Sequence, residues 1–329
     1  MRLRLVVPAN VDSPTGGNVY DVSMADALRR QGHGVEVVRC QPSGLSDVLR
    51  RPWSGPTLVD GLLACRDPQA LASRDIGVLV HMPLAWETGL SSEHAAELDG
   101  QEEQALLAAR VVVCTSHWCA HHLAHRHGVQ HVVVAPPGVD PAPLSTGSDP
   151  PLLVQVAALL PHKDQLTVVA ALRRLTGLSW RARLVGSVDR DPEYAATVRD
   201  AVSSAGLTDR VDMPGEVSRD DAYAGADLAL LPSRAEAFGL VVTEALARGV
   251  PVVVSETGAA EALGLTHTGR RPGMVVPAGD VDALSDALRR WLTDASFRND
   301  LRSRALERRE TLEGWEATAK RIVSALTAT

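Results

Sequence analysis

The chain has 329 residues, of which 45% are hydrophobic and 3% aromatic, and its formal net charge is −7. This length suggests two domains of ordinary size, with cores built from Leu, Val and Ala. The negative charge argues against a nucleic-acid-binding protein, which would show a basic stripe.

The apolar run at the start of the sequence is too short for a signal peptide or a membrane span. No later segment reaches membrane length, so we expect no stable membrane insertion. The cysteines show neither metal-ligand spacing nor a disulfide-rich pattern, and we therefore expect a cytoplasmic protein with reduced thiols. They are Cys40, Cys65, Cys114 and Cys119.

In chain order, short runs of Val, Leu and Ile recur with helical stretches between them, a pattern that predicts parallel sheets with helices on both faces. A glycine-containing loop at 9–18 and a helix at 19–31 follow the first predicted strand. The predicted strands of the first half are residues 3–8, 35–38, 57–59, 76–80, 111–114 and 131–134. Those of the second half are residues 152–156, 182–185, 211–213, 228–231, 252–254 and 274–276.

Residues 141–151 carry four prolines among small polar residues and form the best linker candidate. The strand–helix alternation restarts after them. The sequence therefore predicts two doubly wound Rossmann-like domains, residues 1–145 and 151–311, that face each other across a cleft. Such a cleft between strand ends would bury a ligand.

Residues 233–251 carry two acids between apolar runs, which predicts a strand, a loop, a helix and another strand. Open α/β sheets bind ligands at such a loop. We expect Glu236 in the loop and Glu244 about two turns into a buried helix, where its carboxylate needs hydrogen bonds such as those of sugar hydroxyls. The alternative is that neighbouring arginines satisfy both acids. The amides that open this helix and could hold a phosphate are those of Phe238, Gly239 and Leu240.

Other features at predicted strand ends allow both a functional and a structural interpretation. Gly16 and Gly17 follow the first strand and could contact a phosphate or form a simple turn. Lys163 could neutralise a diphosphate or be an exposed helix lysine. His81 could contact the transferred group or be structural. Dinucleotide-binding and P-loop motifs are absent, which argues against a nicotinamide enzyme and an ATPase.

A histidine-rich helix is predicted after the fifth strand. His117, His121 and His125 recur every four residues and therefore share a helix face. Metal binding there is geometrically possible, but a solvated helix is the favoured interpretation because no supporting acids are evident nearby.

Together these residues resemble a retaining glycosyltransferase of family 4 with the GT-B architecture. Glu236 and Glu244 match the E-x7-E motif of that family, within the longer string E-A-F-G-L-V-V-T-E-A-L-A-R-G-V-P. The Gly16–Gly17 pair resembles the family's glycine loop, and His81 resembles its histidine near the sugar and acceptor. The segment 214–217 resembles the loop beside the nucleotide base.

The resemblance implies sugar transfer from a nucleotide-diphosphate sugar, with UDP favoured and GDP possible, to an acceptor with anomeric retention. It implies no essential metal and no cofactor beyond the sugar nucleotide. A final helix, about residues 312–329, would pack back on the first domain. The implied catalytic residues are Glu236, His81 and Lys163. The implied donor-binding residues are Gly16, Gly17, Lys163, Gly215, Val217, Arg234, Phe238, Gly239, Leu240 and Glu244.

The acceptor is expected to be a soluble small molecule, because the acidic region 91–109 would be repelled by an anionic membrane. One position departs from the family pattern: Ala158 stands where an arginine usually contacts the diphosphate, so Lys163, helix amides or Arg234 must supply the neutralisation. Two alternatives therefore stay open, a nucleotide-sugar epimerase or hydrolase of the same fold and a non-catalytic nucleotide-sugar binding protein.

Overall fold

The computed structural model describes residues 1–10, 15–72, 75–86 and 89–328. The chain divides into two compact units. The first unit comprises Met1–Gly138 together with Glu313–Thr329, and the second comprises Val139–Leu312. Residues 141–151, the predicted linker, are therefore counted with the second unit.

The first unit contains a parallel sheet, with six strands among its described residues, in the order β2-β1-β3-β4-β5-β6. The strand order reverses between β1 and β3, the position at which open α/β sheets bind ligands. The strands are β1 (Arg2–Pro8), β2 (Gly34–Cys40), β3 (Thr57–Asp60), β4 (Ile76–Val80), β5 (Val111–Cys114) and β6 (Val132–Val134). The helices between them are α1 (Gly16–Arg30), α2 (Leu45–Arg50), α3 (Gly61–Ala64), α4 (Ser92–Ala108) and α5 (His117–His127).

The second unit contains another parallel sheet of six strands, in the order β12-β11-β10-β7-β8-β9, whose reversal lies between β7 and β10. The strands are β7 (Leu152–Val156), β8 (Arg181–Val185), β9 (Val211–Gly215), β10 (Ala226–Leu231), β11 (Val252–Ser255) and β12 (Gly273–Val276). The helices are α6 (Gln165–Arg173), α7 (Pro192–Ser204), α8 (Arg219–Tyr223), α9 (Leu240–Ala247), α10 (Gly258–Leu263), α11 (Val281–Thr293) and α12 (Ala295–Arg309).

Both faces of the second sheet are covered. Along β10, Leu228 and Leu230 belong to one buried cluster, whereas Ala229 and Leu231 belong to another. Because successive side chains of a strand point to opposite faces, the two clusters occupy the two sides of the sheet. Strands buried on both faces are nearly continuous apolar runs, which is why the sequence pattern located them. The predicted fold class, two doubly wound α/β domains, is confirmed.

The last helix, α13 (Trp315–Thr327), belongs to the first unit. The rings of Trp315 and Tyr20 meet edge to face with centroids 5.6 Å apart. Thr318 Oγ1 donates a hydrogen bond of 2.7 Å to the Pro136 carbonyl. A Cβ on Gly138 would lie 2.2 Å from the Trp315 backbone nitrogen, so only glycine allows this approach.

The start of α1 differs from the prediction, which placed Gly16 and Gly17 in a loop and began the helix at Val19. The helix begins at Gly16 because the Thr15 side chain accepts a hydrogen bond from the Asn18 amide and caps it. Residues 11–14 of the predicted loop lie outside the described residues. Within the described ranges, no helix is both long and apolar enough to cross a bilayer.

Candidate functional site

In the second unit, a lysine and a glutamate meet where the strand order reverses. Lys163 closes a 3₁₀ turn (Pro161–Lys163) between β7 and α6, and Glu236 lies in the loop after β10. Lys163 Nζ is 2.7 Å from Glu236 Oε2. Their side chains are only 20% and 12% exposed, so solvent screens this ion pair less than a surface pair. Two residues predicted to be catalytic are thus brought together.

Backbone contacts hold the two loops in place. Gln155 Nε2 donates to the Lys163 carbonyl at 2.7 Å, and the Gly258 amide donates to the Glu236 carbonyl at 2.9 Å. A Cβ on Gly258 would lie 2.0 Å from the Ala237 carbonyl oxygen, so this close approach requires glycine. The positions of Lys163 and Glu236 are therefore set by the strand ends rather than by the ion pair alone.

Arg234 lies beside the same turn. Its Nε is 3.0 Å from Asp164 Oδ2, and its amide donates to the His162 carbonyl at 2.8 Å. Asp164 has a φ of 54° and is 3% exposed, and its carboxylate also accepts from Thr167 Oγ1 at 2.9 Å. The sequence reasoning did not identify Asp164, although its place next to Lys163 could have suggested it. Burial, followed by the charges of Lys163 and Arg190, lowers the pKa of His162 to about 3.

Glu244 lies about one turn into α9, not two turns as predicted, because the helix begins only at Leu240. The preceding Gly239 has a φ of 83°. A Cβ there would lie 2.8 Å from Leu231 Cδ2 and 3.3 Å from Glu236 Cγ, so glycine permits the helix start to touch the loop acid. The first amides of a helix have no intrahelical partner, and in α9 they begin with that of Leu240.

The Glu244 side chain is nearly buried and contacts Arg219. Burial raises the pKa of Glu244, and the positive charges of Arg219 and Arg248 oppose that rise. Arg248 also donates to the Glu244 carbonyl at 3.2 Å and pairs with Asp220 at 2.6 Å. Each of the two predicted glutamates thus contacts a basic side chain, and these two contacts join different elements of the second unit.

The loop predicted to lie beside a nucleotide base leads directly to Arg219. Gly215 ends β9 with a φ of 79°, and its carbonyl accepts from the Gly186 amide at 2.9 Å. Val217 is 40% exposed. Ser218 then caps α8, which begins at Arg219. The sequence reasoning missed Arg219, although its position two residues after Val217 was the available indication.

In the first unit, His81 follows β4 and faces two buried acids. Its Nε2 is 3.1 Å from Asp21 Oδ1 and 3.3 Å from Asp60 Oδ2. Asp60 ends β3, and Asp21 projects from α1. Neither acid was identified from the sequence. Asp60 could have been, because it ends the strand next to β4 and the carboxyl ends of parallel strands share one edge.

These three groups perturb one another's protonation. Burial lowers the pKa of His81, but the charges and hydrogen bonds of Asp21 and Asp60 outweigh it and raise this pKa to about 10. Burial raises the pKa of Asp21 to about 6, against the opposing charge of His81. His81 Nδ1 and Asp21 Oδ2 are buried and have no hydrogen-bond partner among the described residues.

The predicted glycine pair adjoins this cluster. Gly16 and Gly17 form the first turn of α1, and a Cβ on Gly17 would lie 3.0 Å from the His81 ring. The structure therefore brings Gly16, Gly17 and His81 together at one edge of the first sheet. It brings the predicted residues of the second unit together around Lys163, Glu236 and Glu244.

A second histidine–acid cluster lies on helices α4 and α5. His127 Nε2 is 3.1 Å from Glu102 Oε2, and Glu102 Oε1 accepts from the Leu84 amide at 3.2 Å. Asp99 pairs with Arg126 at 2.5 Å. The acidic face predicted at 91–109 is therefore smaller than expected, because Glu102 is buried and Asp99 is paired. The exposed acids of α4 are Glu93, Glu97 and Glu103.

The predicted histidine face of α5 forms a ring contact between His121 and His125, with centroids 4.8 Å apart. Within the described ranges, the groups whose ligand atoms lie close enough to share a metal ion are Asp21–Asp60–His81 and Asp99–Glu102–His127. Neither group includes His117, His121 or His125.

Comparison with known proteins agrees with this fold. Sucrose-phosphate synthase from Thermosynechococcus elongatus superposes with a TM-score of 0.82 and 20% identity, covering 98% of both chains. HepE of Anabaena, solved in complex with UDP-glucose, superposes with a TM-score of 0.79 and 18% identity, covering 100% of both chains. These likenesses show the fold, that of GT-B glycosyltransferases.

Sequence relatives include a D-inositol 3-phosphate glycosyltransferase of Kineococcus radiotolerans, 33% identical over 70% of this chain. A GDP-mannose-dependent alpha-(1-6)-phosphatidylinositol monomannoside mannosyltransferase of Mycobacterium tuberculosis is 33% identical over 48% of this chain. The matches span 60% of the first relative and 46% of the second. The profile of the family described as "Glycosyl transferases group 1" matches residues 140–308, which is more than half of the sequence. The chain therefore belongs to the group 1 glycosyltransferase family.

Proposed function

We propose that the protein transfers a sugar from a nucleotide-diphosphate sugar to an acceptor, with retention of anomeric configuration and without a metal ion. Membership of the group 1 family supports this proposal. The single observation that carries it is the Lys163–Glu236 pair at 2.7 Å, placed where the second sheet reverses its strand order. Ligands of open α/β sheets bind at this position.

The proposed roles follow from charge. Lys163 neutralises the diphosphate together with the amides of Phe238, Gly239 and Leu240 at the start of α9. Negative charge builds up on the leaving diphosphate as the sugar departs, so fixed cations and amides there lower the barrier. Glu236, held next to Lys163, binds hydroxyls of the sugar beside the phosphates.

Glu244 is proposed to bind the ribose. A nearly buried carboxylate whose side-chain partner among the described residues is Arg219 retains acceptor capacity for two vicinal hydroxyls. Gly215 and Val217 would lie beside the base, since their loop ends at Arg219. The cation missing at Ala158 is proposed to be replaced by Arg234, whose guanidinium pairs with Asp164, the residue that follows Lys163.

The donor is proposed to be a UDP-sugar or a GDP-sugar. HepE was solved with UDP-glucose, and the mycobacterial relative is named GDP-mannose-dependent. The acceptor is proposed to be a small polar molecule. One relative is named for D-inositol 3-phosphate and another for a phosphatidylinositol monomannoside. The exposed acids Glu93, Glu97 and Glu103 favour the small molecule, because an anionic membrane would repel α4.

Thermal-shift measurements with UDP, GDP and ADP test nucleotide binding, because a ligand of the native state raises the melting temperature. We expect Glu244→Gln to weaken binding of the preferred nucleotide by about 10- to 100-fold, the effect of losing hydrogen bonds to a charged group. Glu236→Gln should preserve nucleotide binding but lower turnover of the donor by about 100- to 1,000-fold. Glu193→Gln, on the exposed first turn of α7, is the matched control.

Equal behaviour of all three variants would refute the site. Incubation with the donor alone separates the remaining possibilities: release of an epimerised or free sugar without an acceptor would identify an epimerase or hydrolase. With an acceptor, NMR of the product decides the stereochemistry, and an inverted anomeric centre would contradict retention.

A further inference from the structure

We propose that Asp21 and Asp60 are positioning residues that hold His81 as an imidazolium and leave its Nδ1–H as the donor for an oxygen of the sugar-transfer reactants. The charge assignment rests on the first unit alone, and its use in catalysis rests on the proposed function. The two acids act through His81 and need no contact of their own with a reactant.

The proton on Nε2 follows from geometry. Nε2 lies 3.1 Å from one carboxylate oxygen and 3.3 Å from another. An unprotonated Nε2 would direct its lone pair at two acceptors, whereas Nε2–H donates to them. Both acids are about 99% buried, so the pair needs a counter-charge nearby. The imidazolium supplies it, and the raised pKa of His81 agrees with this assignment.

The neighbouring groups fix the ring. Asp60 Oδ1 accepts from the Leu62 amide at 2.7 Å, which anchors that carboxylate at the start of α3. The Tyr20 and His81 rings meet edge to face with centroids 5.1 Å apart. Gly17 packs against the His81 ring so closely that a Cβ on Gly17 would lie 3.0 Å from Cδ2. Among the described residues, the titratable groups that face His81 are Asp21, Asp60 and Tyr20, and the Tyr20 hydroxyl donates to the Ala135 carbonyl at 2.9 Å. In the observed orientation of the His81 ring, Nε2 has both acids as hydrogen-bond partners.

The other ring nitrogen of His81, Nδ1, is the atom that can donate a hydrogen bond to a ligand. It is buried and has no hydrogen-bond partner among the described residues. A buried donor without a partner costs about 1–3 kcal/mol, which an accepting oxygen of a ligand would recover. Because Nε2 is tied to two acids, a ligand bond at Nδ1 would be charge-assisted and fixed in direction.

The test is long-range ¹H–¹⁵N NMR of the histidine rings in the ligand-free protein between pH 6 and 9, with His81→Gln used for assignment. In the wild type we expect both His81 nitrogens protonated over the whole range. In Asp60→Asn the pKa of the ring should fall into this range, because one of the two acids that raise it is gone. Asp21→Asn should act in the same direction and provides the second variant should Asp60→Asn not fold. Asp26→Asn, an exposed acid of the same helix paired with Arg29, should leave His81 unchanged.

A wild-type His81 that titrates near 6.5 would overturn the proposal. So would added Zn²⁺ that shifts Nε2 of the wild type but not of Asp60→Asn, since the three groups would then be metal ligands. In turnover assays, Asp60→Asn should lower kcat by about 10- to 100-fold, as losing an orienting partner does. The KM for the donor should stay within about threefold. Normal NMR spectra without any sugar transfer would refute the proposed function and leave the charge assignment intact.

Discussion

Both units place cations and acids at the carboxyl ends of their strands but use different cations. At the reversal of the second sheet, Lys163 meets Glu236 and Arg234 meets Asp164. At the edge of the first sheet, His81 meets Asp21 and Asp60. Lysine and arginine are charged at any physiological pH, whereas the charge of a histidine depends on its neighbours.

The difference indicates what each site is suited to bind. Fixed cations match a ligand of fixed negative charge, such as a diphosphate. A histidine charged by two acids carries a local positive charge within a cluster whose net charge is −1, so it suits a neutral hydroxyl oxygen. The carboxylates also differ: in the second unit each acid has its own cation, whereas in the first unit two acids share one.

The largest effect should follow from removing the fixed charge of Lys163. Lys163→Met takes the cation from the proposed diphosphate site and leaves Glu236 without its partner. We expect turnover to fall by about 100- to 1,000-fold. Lys163→Arg, which keeps the charge, should lose far less. Equal losses in the two variants, measured as kcat/KM for the donor, would mean that shape rather than charge matters at this position.

A smaller effect is expected at Arg234, which we propose as the substitute for the arginine absent at position 158. Arg234→Met should lower turnover by about 10- to 100-fold, since one of two cations remains. Adding Ala158→Arg to that variant should restore at least part of the loss, while Ala158→Arg alone should change the rate by less than about tenfold. A double variant no better than Arg234→Met would show that the two positions do not serve the same phosphate.

The pairing of Glu244 with Arg219 predicts a pH effect on nucleotide affinity. Burial raises the pKa of Glu244 and Arg219 opposes this, so Arg219→Met should raise the pKa further. The protonated acid makes weaker hydrogen bonds. Nucleotide binding by Arg219→Met should therefore weaken from pH 7.5 to 5.5, by at most about tenfold per unit. Calorimetric titration with Arg199→Met, an exposed arginine of α7, as control would reveal any general charge effect.

The sequence predicted the strands of both sheets well, but it did not predict which acidic and basic side chains would contact one another. Every predicted strand is present to within about two residues, because buried parallel strands are continuous apolar runs. The start of α9 was harder, since it depends on the left-handed φ of Gly239. Loop acids and bases such as Glu236 and Lys163 were identified by their place after a strand and by resemblance.

Their partners could not be predicted in the same way. Asp21 lies inside a helix whose other buried residues are mostly apolar, and nothing local indicates that it meets a strand end 60 residues away. The Glu244–Arg219 contact joins α9 to the first residue of α8, a helix that follows the turn at Gly215. Such pairings arise from tertiary geometry, and a single sequence carries no direct record of it.

The smallest expected effect is on the free energy of unfolding. Its dependence on pH should have opposite signs for His81 in the first unit and His162 in the second. His81 has a pKa of about 10 in the folded protein and about 6.5 when unfolded, so its contribution is complete below pH 6.5 and is lost as pH rises through about 10. His162 has a folded pKa of about 3, so its contribution is complete above pH 6.5 and is lost as pH falls from 6.5 toward 3.

Acidification from pH 6.5 to 5 should therefore destabilise the second unit by at most about 2 kcal/mol. The reason is that His162 becomes protonated in the unfolded chain but stays neutral in the folded chain. His162→Asn should flatten this acid loss, and His81→Asn should flatten the alkaline loss between pH 8 and 10. Urea unfolding of each variant across pH, with His131→Asn as an exposed control, measures both slopes. If both variants changed the same limb of the profile, the two histidines would not differ in charge, and the contrast between the units would fail.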